Sequence, residues 1–171
     1  PIIVVPRGGV NDDLVATVHQ YNLMGGTIKI ANTVGKKISS SLIRAHIELG
    51  LDTSEYLTDA CRYYIDSNNL YRKYTDIIEM LKKTITPYRF AHTVDTTLTA
   101  IKLNDTWGID YDKVFLAAML HDCMKDIDYV HDEVPKDTYG TLVMHAFNGA
   151  IEAQKKYSVN DEDVLNAIRY H

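Results

Sequence analysis

Four histidines, His92, His121, His145 and His171, follow one another at intervals of 29, 24 and 26 residues, and Asp122 comes directly after the second. Imidazole is the commonest transition-metal ligand, and a helical bundle gathers such ligands by projecting single side chains inward from facing helices. A carboxylate adds the capacity to bridge two ions; two-metal sites generate a nucleophile from water at neutral pH and clamp the phosphoryl oxygens under attack. The chemistry implied is metal-assisted hydrolysis of a phosphate compound. The run over 114–120 is almost wholly apolar, so His121 and Asp122 are expected at the end of a buried helix. An ionised carboxylate buried there without a metal, a cation or several hydrogen bonds costs several kcal/mol. Lys125, three residues after Asp122 and four after His121, completes an H-D-x-x-K unit whose ammonium is placed to meet a substrate phosphate. Taken singly these residues have plainer readings: a lone buried histidine is usually structural, and Asp122 with Lys125 is an ordinary i,i+3 ion pair. The joint pattern is what points to a metal. His19, His46 and His131 stand outside it and read as surface or packing residues, with the polar neighbours of His131 favouring solvent. Met119, Met124 and Met144 read as core filling.

The ligands need separate helices to converge. After Tyr71 the sequence reads as helices over 71–84, 88–104, 111–125, 139–156 and 161–171, separated by Pro87, Gly108, Pro135-Lys136 and a polar turn near Asn160. The four histidines fall on four different ones. The preceding part differs. Residues 2–5 read as a short buried strand closed by Pro6 and Gly8-Gly9, and Asn11 caps a helix through Leu14, Val15, Val18 and Leu23. That helix stops at Gly25-Gly26, and 27–30 reads as a second strand. A helix over 39–49 opens on a serine cluster, and another over 54–64 takes Ser54 as its cap. The fold class is therefore α+β overall: an α/β part over 1–70 and an all-helical part over 71–171, with the boundary near residue 70.

Composition narrows the partners. An apolar share of 46% and a charged share of 24% are those of a folded globular protein. No apolar run approaches the roughly 20 residues that cross a bilayer. Cys61 and Cys123 lie far apart with no C-x-x-C spacing, which fits a reducing cytoplasm better than a disulfide framework. The net charge of −5 divides into six basic against seven acidic residues in 1–70 and twelve against sixteen in 71–171. Without a basic stripe there is no footprint for nucleic acid, so a small anionic substrate must be met by local charge. The chain begins at Pro1, inside a strand, and ends on His171, and so reads as a fragment of a longer parent.

The second part resembles the HD-domain phosphohydrolases, and within them the YqeK-type branch. The matching stretches are Arg89-Phe90-Ala91-His92, then Ala117-Ala118-Met119-Leu120-His121-Asp122-Cys123-Met124-Lys125, then His145-Ala146-Phe147-Asn148-Gly149-Ala150, and the run from Asp163 to His171. The resemblance implies an all-helical fold and a divalent metal, iron first, with manganese, cobalt, magnesium or zinc as alternatives. It also implies symmetrical hydrolysis of diadenosine tetraphosphate to two nucleoside diphosphates. Carried over, His92, His121 and Asp122 hold one ion, Asp122 bridges, His145 and His171 serve a second, and Lys125 faces phosphate. Asp122 and Lys125 are the catalytic pair on this reading. HD domains also use a later aspartate that has no counterpart before His171, so the domain reads as truncated and its site as incomplete.

The first part resembles the C-terminal portion of bacterial nicotinate-nucleotide adenylyltransferases, a remnant of a Rossmann-like nucleotidyltransferase domain. The match lies in Ile38-Ser39-Ser40-Ser41-Leu42-Ile43-Arg44 and continues through Gly50, Tyr56-Leu57, Tyr64-Ile65 and Asn69-Leu70-Tyr71. It implies ATP contacts by Ser39, Ser40, Ser41 and Arg44. A serine N-cap with an exposed arginine is the plainer reading of the same seven residues. The phosphate-binding histidine motif of that family's first strand has no counterpart here, so adenylyl transfer is expected of the parent and not of this stretch. The expected parent is a bifunctional cytoplasmic enzyme of NAD biosynthesis, using ATP and nicotinate mononucleotide in one domain and a nucleotide polyphosphate in the other, with a homodimer compatible. The alternatives are an HD hydrolase of a nucleoside monophosphate, deoxynucleotide or alarmone, and a metal-poor HD domain that regulates its neighbour.

Overall fold

The computed structural model describes residues 1–6, 10–33 and 38–171, which form two compact units, Pro1–Ile38 and Ser39–His171. The expected turn at Gly8-Gly9 lies outside the described residues. In the first unit β1 (Ile2–Val4) and β2 (Ile28–Ile30) pair in parallel, Ile2 opposite Ile28 and Val4 opposite Ile30, with α1 (Asp12–Leu23) as the crossover between them. Asn11 caps α1 by accepting from the Leu14 amide at 2.9 Å, as its residue type predicts. Gly25, at φ 91°, turns the chain out of it, and Gly26 follows where a Cβ would lie 2.7 Å from the Tyr21 carbonyl oxygen. The strand expected to be buried is not: Ile2 and Ile3 are exposed, since a two-stranded sheet has little to cover it.

The second unit is helical: α2 (Ser40–Glu48), α3 (Asp59–Ser67), α4 (Thr75–Thr84), α5 (Pro87–Trp107), α6 (Tyr111–Leu120), α7 (Met144–Lys155) and α8 (Glu162–Arg169), with a 3-10 turn at Lys136–Thr138. The α2 and α3 helices, read from sequence as part of the first half, lie in this unit. Its core is built on Leu81, Ile101, Phe115, Met119, Leu120, Leu165 and Ile168, all essentially without solvent exposure, so α6 carries apolar residues on most of its circumference. Glu48 ties α2 to α4 by accepting from the Tyr74 amide. Among the described residues no helix is long and apolar enough to cross a membrane.

Several boundaries move for local reasons. The α3 helix starts at Asp59 under a Thr58 cap, because Ser54 donates its hydroxyl to Asp52 at 2.6 Å and closes a turn instead. The α4 helix starts at Thr75, since Asn69 and Tyr71 both take left-handed backbone angles. Gly108, at φ 65°, terminates α5 as a left-handed cap. The largest shift concerns the expected helix over 111–125: α6 ends at Leu120, and His121 onward runs in i,i+3 turns, with Cys123 N donating to Leu120 O and Lys125 N to Asp122 O, both at 3.1 Å. His121 thus caps the carboxyl end of a helix, where the backbone dipoles favour a cation.

Candidate metal centre

Four helices deliver the site. His92 lies on α5, His121 and Asp122 follow α6, His145 opens α7 and His171 follows α8. Asp122 is only 3% exposed, and its two oxygens face different histidines. Oδ2 lies 3.5 Å from His121 Nε2 and 3.9 Å from His92 Nε2, while Oδ1 lies 3.3 Å from His145 Nε2 and 3.5 Å from His171 Nε2. The result is two groups with metal-ligating geometry, His92–His121–Asp122 and Asp122–His145–His171, sharing the one carboxylate.

The protonation pattern favours a cation. His121 Nδ1 lies 2.8 Å from the Ala118 carbonyl and His171 Nδ1 lies 2.7 Å from the Ile168 carbonyl. A carbonyl only accepts, so both Nδ1 atoms carry a proton, and Nε2 is the nitrogen that each ring turns to the site. His145 has a backbone hydrogen bond to Leu142. Burial pushes His121 below the usual imidazole range, more than its bond to Ala118 and the Asp122 charge raise it. His145 is likewise lowered, by burial and then by the Lys125 ammonium. For Asp122, burial pulls upward, but His121, Lys125, His145 and Arg89 together hold the carboxyl below its usual value. Neutral imidazoles around an ionised carboxylate are the form a metal requires.

The residues fit a divalent ion. His145 Nε2 and His171 Nε2 stand 3.3 Å apart beside Asp122 Oδ1, which is buried without a hydrogen-bond donor. Such an orphaned acceptor is costly unless something positive completes it. Donors that share one ion at bond lengths of about 2.1 Å lie about 3 to 3.5 Å apart. The Asp122–His145–His171 group has that spacing, and the His92 group is looser. Lys125 Nζ lies 3.5 Å from Asp122 Oδ1 and donates to His145 Nε2 at 3.2 Å, so the chain already turns a cation toward the same atoms.

Residues outside the expected set also contribute. Arg89 donates from NH1 to Asp122 Oδ2 at 3.1 Å and grips Asp126 through Nε and NH2, each at 3.1 Å. Its place one helical turn before His92 was the available signal. His131, read as solvent-facing, is buried: its ring reaches Glu152 at 2.8 Å and its amide donates to Asn148 Oδ1 at 2.9 Å. The polar neighbours that suggested solvent gave no sign of distant partners on α7. His46 packs edge-on to Tyr56, His19 is exposed, and Met119 and Met124 fill core. Ser39 caps α2 by accepting from the Leu42 amide at 3.2 Å, and Ser41 accepts from Arg44 NH2 at 3.2 Å. Ser40 is exposed, and the Arg44 guanidinium lies 5.2 Å from the centre of the Tyr111 ring. These four residues lie at the head of α2, and none of them belongs to either histidine group.

Residues 89–171 match the model of the HD domain. The chain is similar to the symmetrical bis(5'-nucleosyl)-tetraphosphatase of Halalkalibacterium halodurans, 33% identical over 103 residues that cover 55% of either chain. It is also similar to the proteins of the same name from Bacillus subtilis, 34% identical over 106 residues and 56% of either chain, and from Staphylococcus aureus, 34% identical over 101 residues. The Staphylococcus aureus match covers 54% of this chain and 52% of the relative, so the chain spans about half the length of the curated relatives it matches. The segment that supplies His92, His121, Asp122, His145 and His171, together with Arg89 and Lys125, lies within the stretch that matches the HD domain.

Proposed function

We propose that the intact protein is a divalent-metal-dependent phosphohydrolase that cleaves diadenosine tetraphosphate symmetrically. The observation that carries this reading is the pair of histidine groups sharing the buried carboxylate of Asp122. The names of the relatives, symmetrical bis(5'-nucleosyl)-tetraphosphatases, support the substrate. His92, His121 and Asp122 would hold one ion, and Asp122, His145 and His171 a second. When bound, a divalent metal supplies Lewis-acid charge for phosphoryl oxygens and acidifies water. The chain's own residues do the rest. Asp122 stays ionised and orients both halves of the site. Lys125, partly exposed beside Asp122, binds a phosphate oxygen and offsets charge that grows as the bridge breaks. Water adds to one central phosphorus, the bridging oxygen departs with the other half, and two nucleoside diphosphates result. Iron is the metal that the family resemblance favours.

The same reading gives the parent an adenylyltransferase domain, with Ser39, Ser40, Ser41 and Arg44 turned toward ATP and nicotinate mononucleotide as co-substrate. It is supported by the parallel β–α–β crossover of the first unit and by a serine-capped helix, whose free amides suit phosphate. A bifunctional cytoplasmic protein of NAD biosynthesis follows from it.

The test is metal analysis of the parent chain followed by product analysis with diadenosine tetraphosphate and a panel of nucleotides. Asp122→Asn is expected to abolish hydrolysis with the helical fold retained, while Arg44→Ala weakens ATP use and spares hydrolysis. Turnover of the nucleotide panel without cleavage of the tetraphosphate moves the substrate assignment, and undiminished hydrolysis by Asp122→Asn removes the site.

A further inference from the structure

Arg89 occupies a position that neither ligation nor packing explains. Its NH1 donates to Asp122 Oδ2, the same oxygen that faces His121 and His92, whereas Oδ1 faces His145 and His171 with no donor of its own. The remainder of the guanidinium fork is spent on Asp126, Nε to Oδ2 and NH2 to Oδ1, each at 3.1 Å. The Arg89 side chain is 19% exposed and that of Asp126 34%, so the fork reaches inward from a more open carboxylate to a buried one. Two properties of such a fork matter. A bidentate carboxylate fixes the guanidinium plane, and it neutralises the positive charge that would otherwise oppose a metal held by Asp122. The terminal torsion of an aspartate is broad, so a bridging carboxylate needs a fixed donor to keep one oxygen toward each ion. His121 and His171 are not fixed donors to it, because each spends its Nδ1 proton on a backbone carbonyl.

We propose that Arg89, braced by Asp126, is a positioning residue that locks the carboxylate plane of Asp122, so that one oxygen serves each histidine group. The inference rests on the metal-site reading above, and binding of Mn2+ without any nucleotide separates the two. The experiment titrates Mn2+ into the full chain by calorimetry and electron paramagnetic resonance for wild type, Arg89→Gln, Arg89→Lys, Asp126→Asn and the Arg89→Gln/Asp126→Asn double variant. Melting temperatures in chelator report the fold. Arg89→Gln is expected to weaken Mn2+ binding by about 10- to 100-fold, the usual effect of removing a group that orients a metal ligand. Asp126→Asn weakens it less and adds nothing in the Arg89→Gln background. Arg89→Lys restores only part, because an ammonium cannot span both carboxylates. Should Arg89→Gln fail to fold, Arg89→Lys and Asp126→Asn with their double variant complete the same cycle. Unchanged affinity in Arg89→Gln overturns the proposal. So does tighter binding, which reduces the guanidinium to a repelling charge, and so do losses that multiply in the double variant. A wild-type chain that binds no Mn2+ overturns the metal-site reading itself.

Discussion

At the scale of single residues, the site is governed by which protons a metal must displace. His121 and His145 are both held below the usual imidazole value of 6.5, chiefly by burial, and Asp122 is held below its usual 3.8 despite burial. The sign follows directly. A ligand whose protonation constant is lowered carries fewer protons at a given pH, so metal binding releases fewer, and affinity is retained further into acid. Mn2+ affinity is therefore expected to fall less steeply with acid than it would if His121 and His145 held the usual imidazole value, measured by titration from pH 7.5 downward. A steep loss beginning above pH 6.5 shows imidazoles that titrate normally. His92, His121, His145 and His171 stood out as candidates in the sequence because each falls on a separate predicted helix, with Asp122 directly after the second. Arg89 and Asp126 did not, since nothing in a linear sequence says that an arginine reaches 37 residues onward to close a fork on Asp126 and 33 residues onward to touch Asp122. His131 escaped for the same reason, its partner Glu152 lying 21 residues away on α7.

At the scale of elements, the ends of helices do the positioning. His121 comes directly after the end of α6 and His171 one residue further past the end of α8, and in each case the ring is fixed by the carbonyl three residues earlier. These stops were misread in the sequence because the apolar run into His121 continues through Cys123 and Met124, both buried, so hydrophobicity carried past the true end of α6. Caps were more legible: Asn11 and Ser39 each hold the helix their residue type announces, whereas Ser54 lost its role to Asp52. The α5 cap bears most on function. Thr86 Oγ1 accepts from the Arg89 amide at 3.2 Å, and Pro87 starts the first turn, so this cap sets the position of Arg89 and, one turn on, His92. Thr86→Ala is expected to cost about 1 kcal/mol, a fall in melting temperature of about 2 to 4 °C for a unit of this size. Thr86→Ser should recover most of it. No difference between the alanine and serine variants in a thermal melt means the hydroxyl does not cap the helix.

At the scale of the whole molecule, the place where the chain can be divided matters more than its fold class. The switch from alternating strands and helices to helices alone suggested a boundary near residue 70, yet the compact helical unit begins at Ser39. The difference lies in α2, a short helix whose residues serve the helical core. Ala45 is fully buried within that core, Glu48 accepts from the Tyr74 amide, and Arg44 stacks on the Tyr111 ring at the start of α6. Every residue of both histidine groups, with Arg89, Lys125 and Asp126, lies beyond Ser39. We therefore propose that residues 39–171 are the minimal metal-binding unit. A chain of 39–171 is expected to melt in one transition and bind Mn2+ with the affinity of the full chain. A chain of 71–171 keeps every ligand but loses Ala45 and Ile47 from its core and leaves the Tyr74 amide, no longer joined to Glu48, without its acceptor, at a combined cost of several kcal/mol. Small domains have only about 5 to 15 kcal/mol to lose, so the shorter chain should melt far lower and gain disproportionately from added metal, which binds only the folded form. Equal stability of the two chains in chelator would return the boundary to residue 70 and make α2 a passenger on the helical unit.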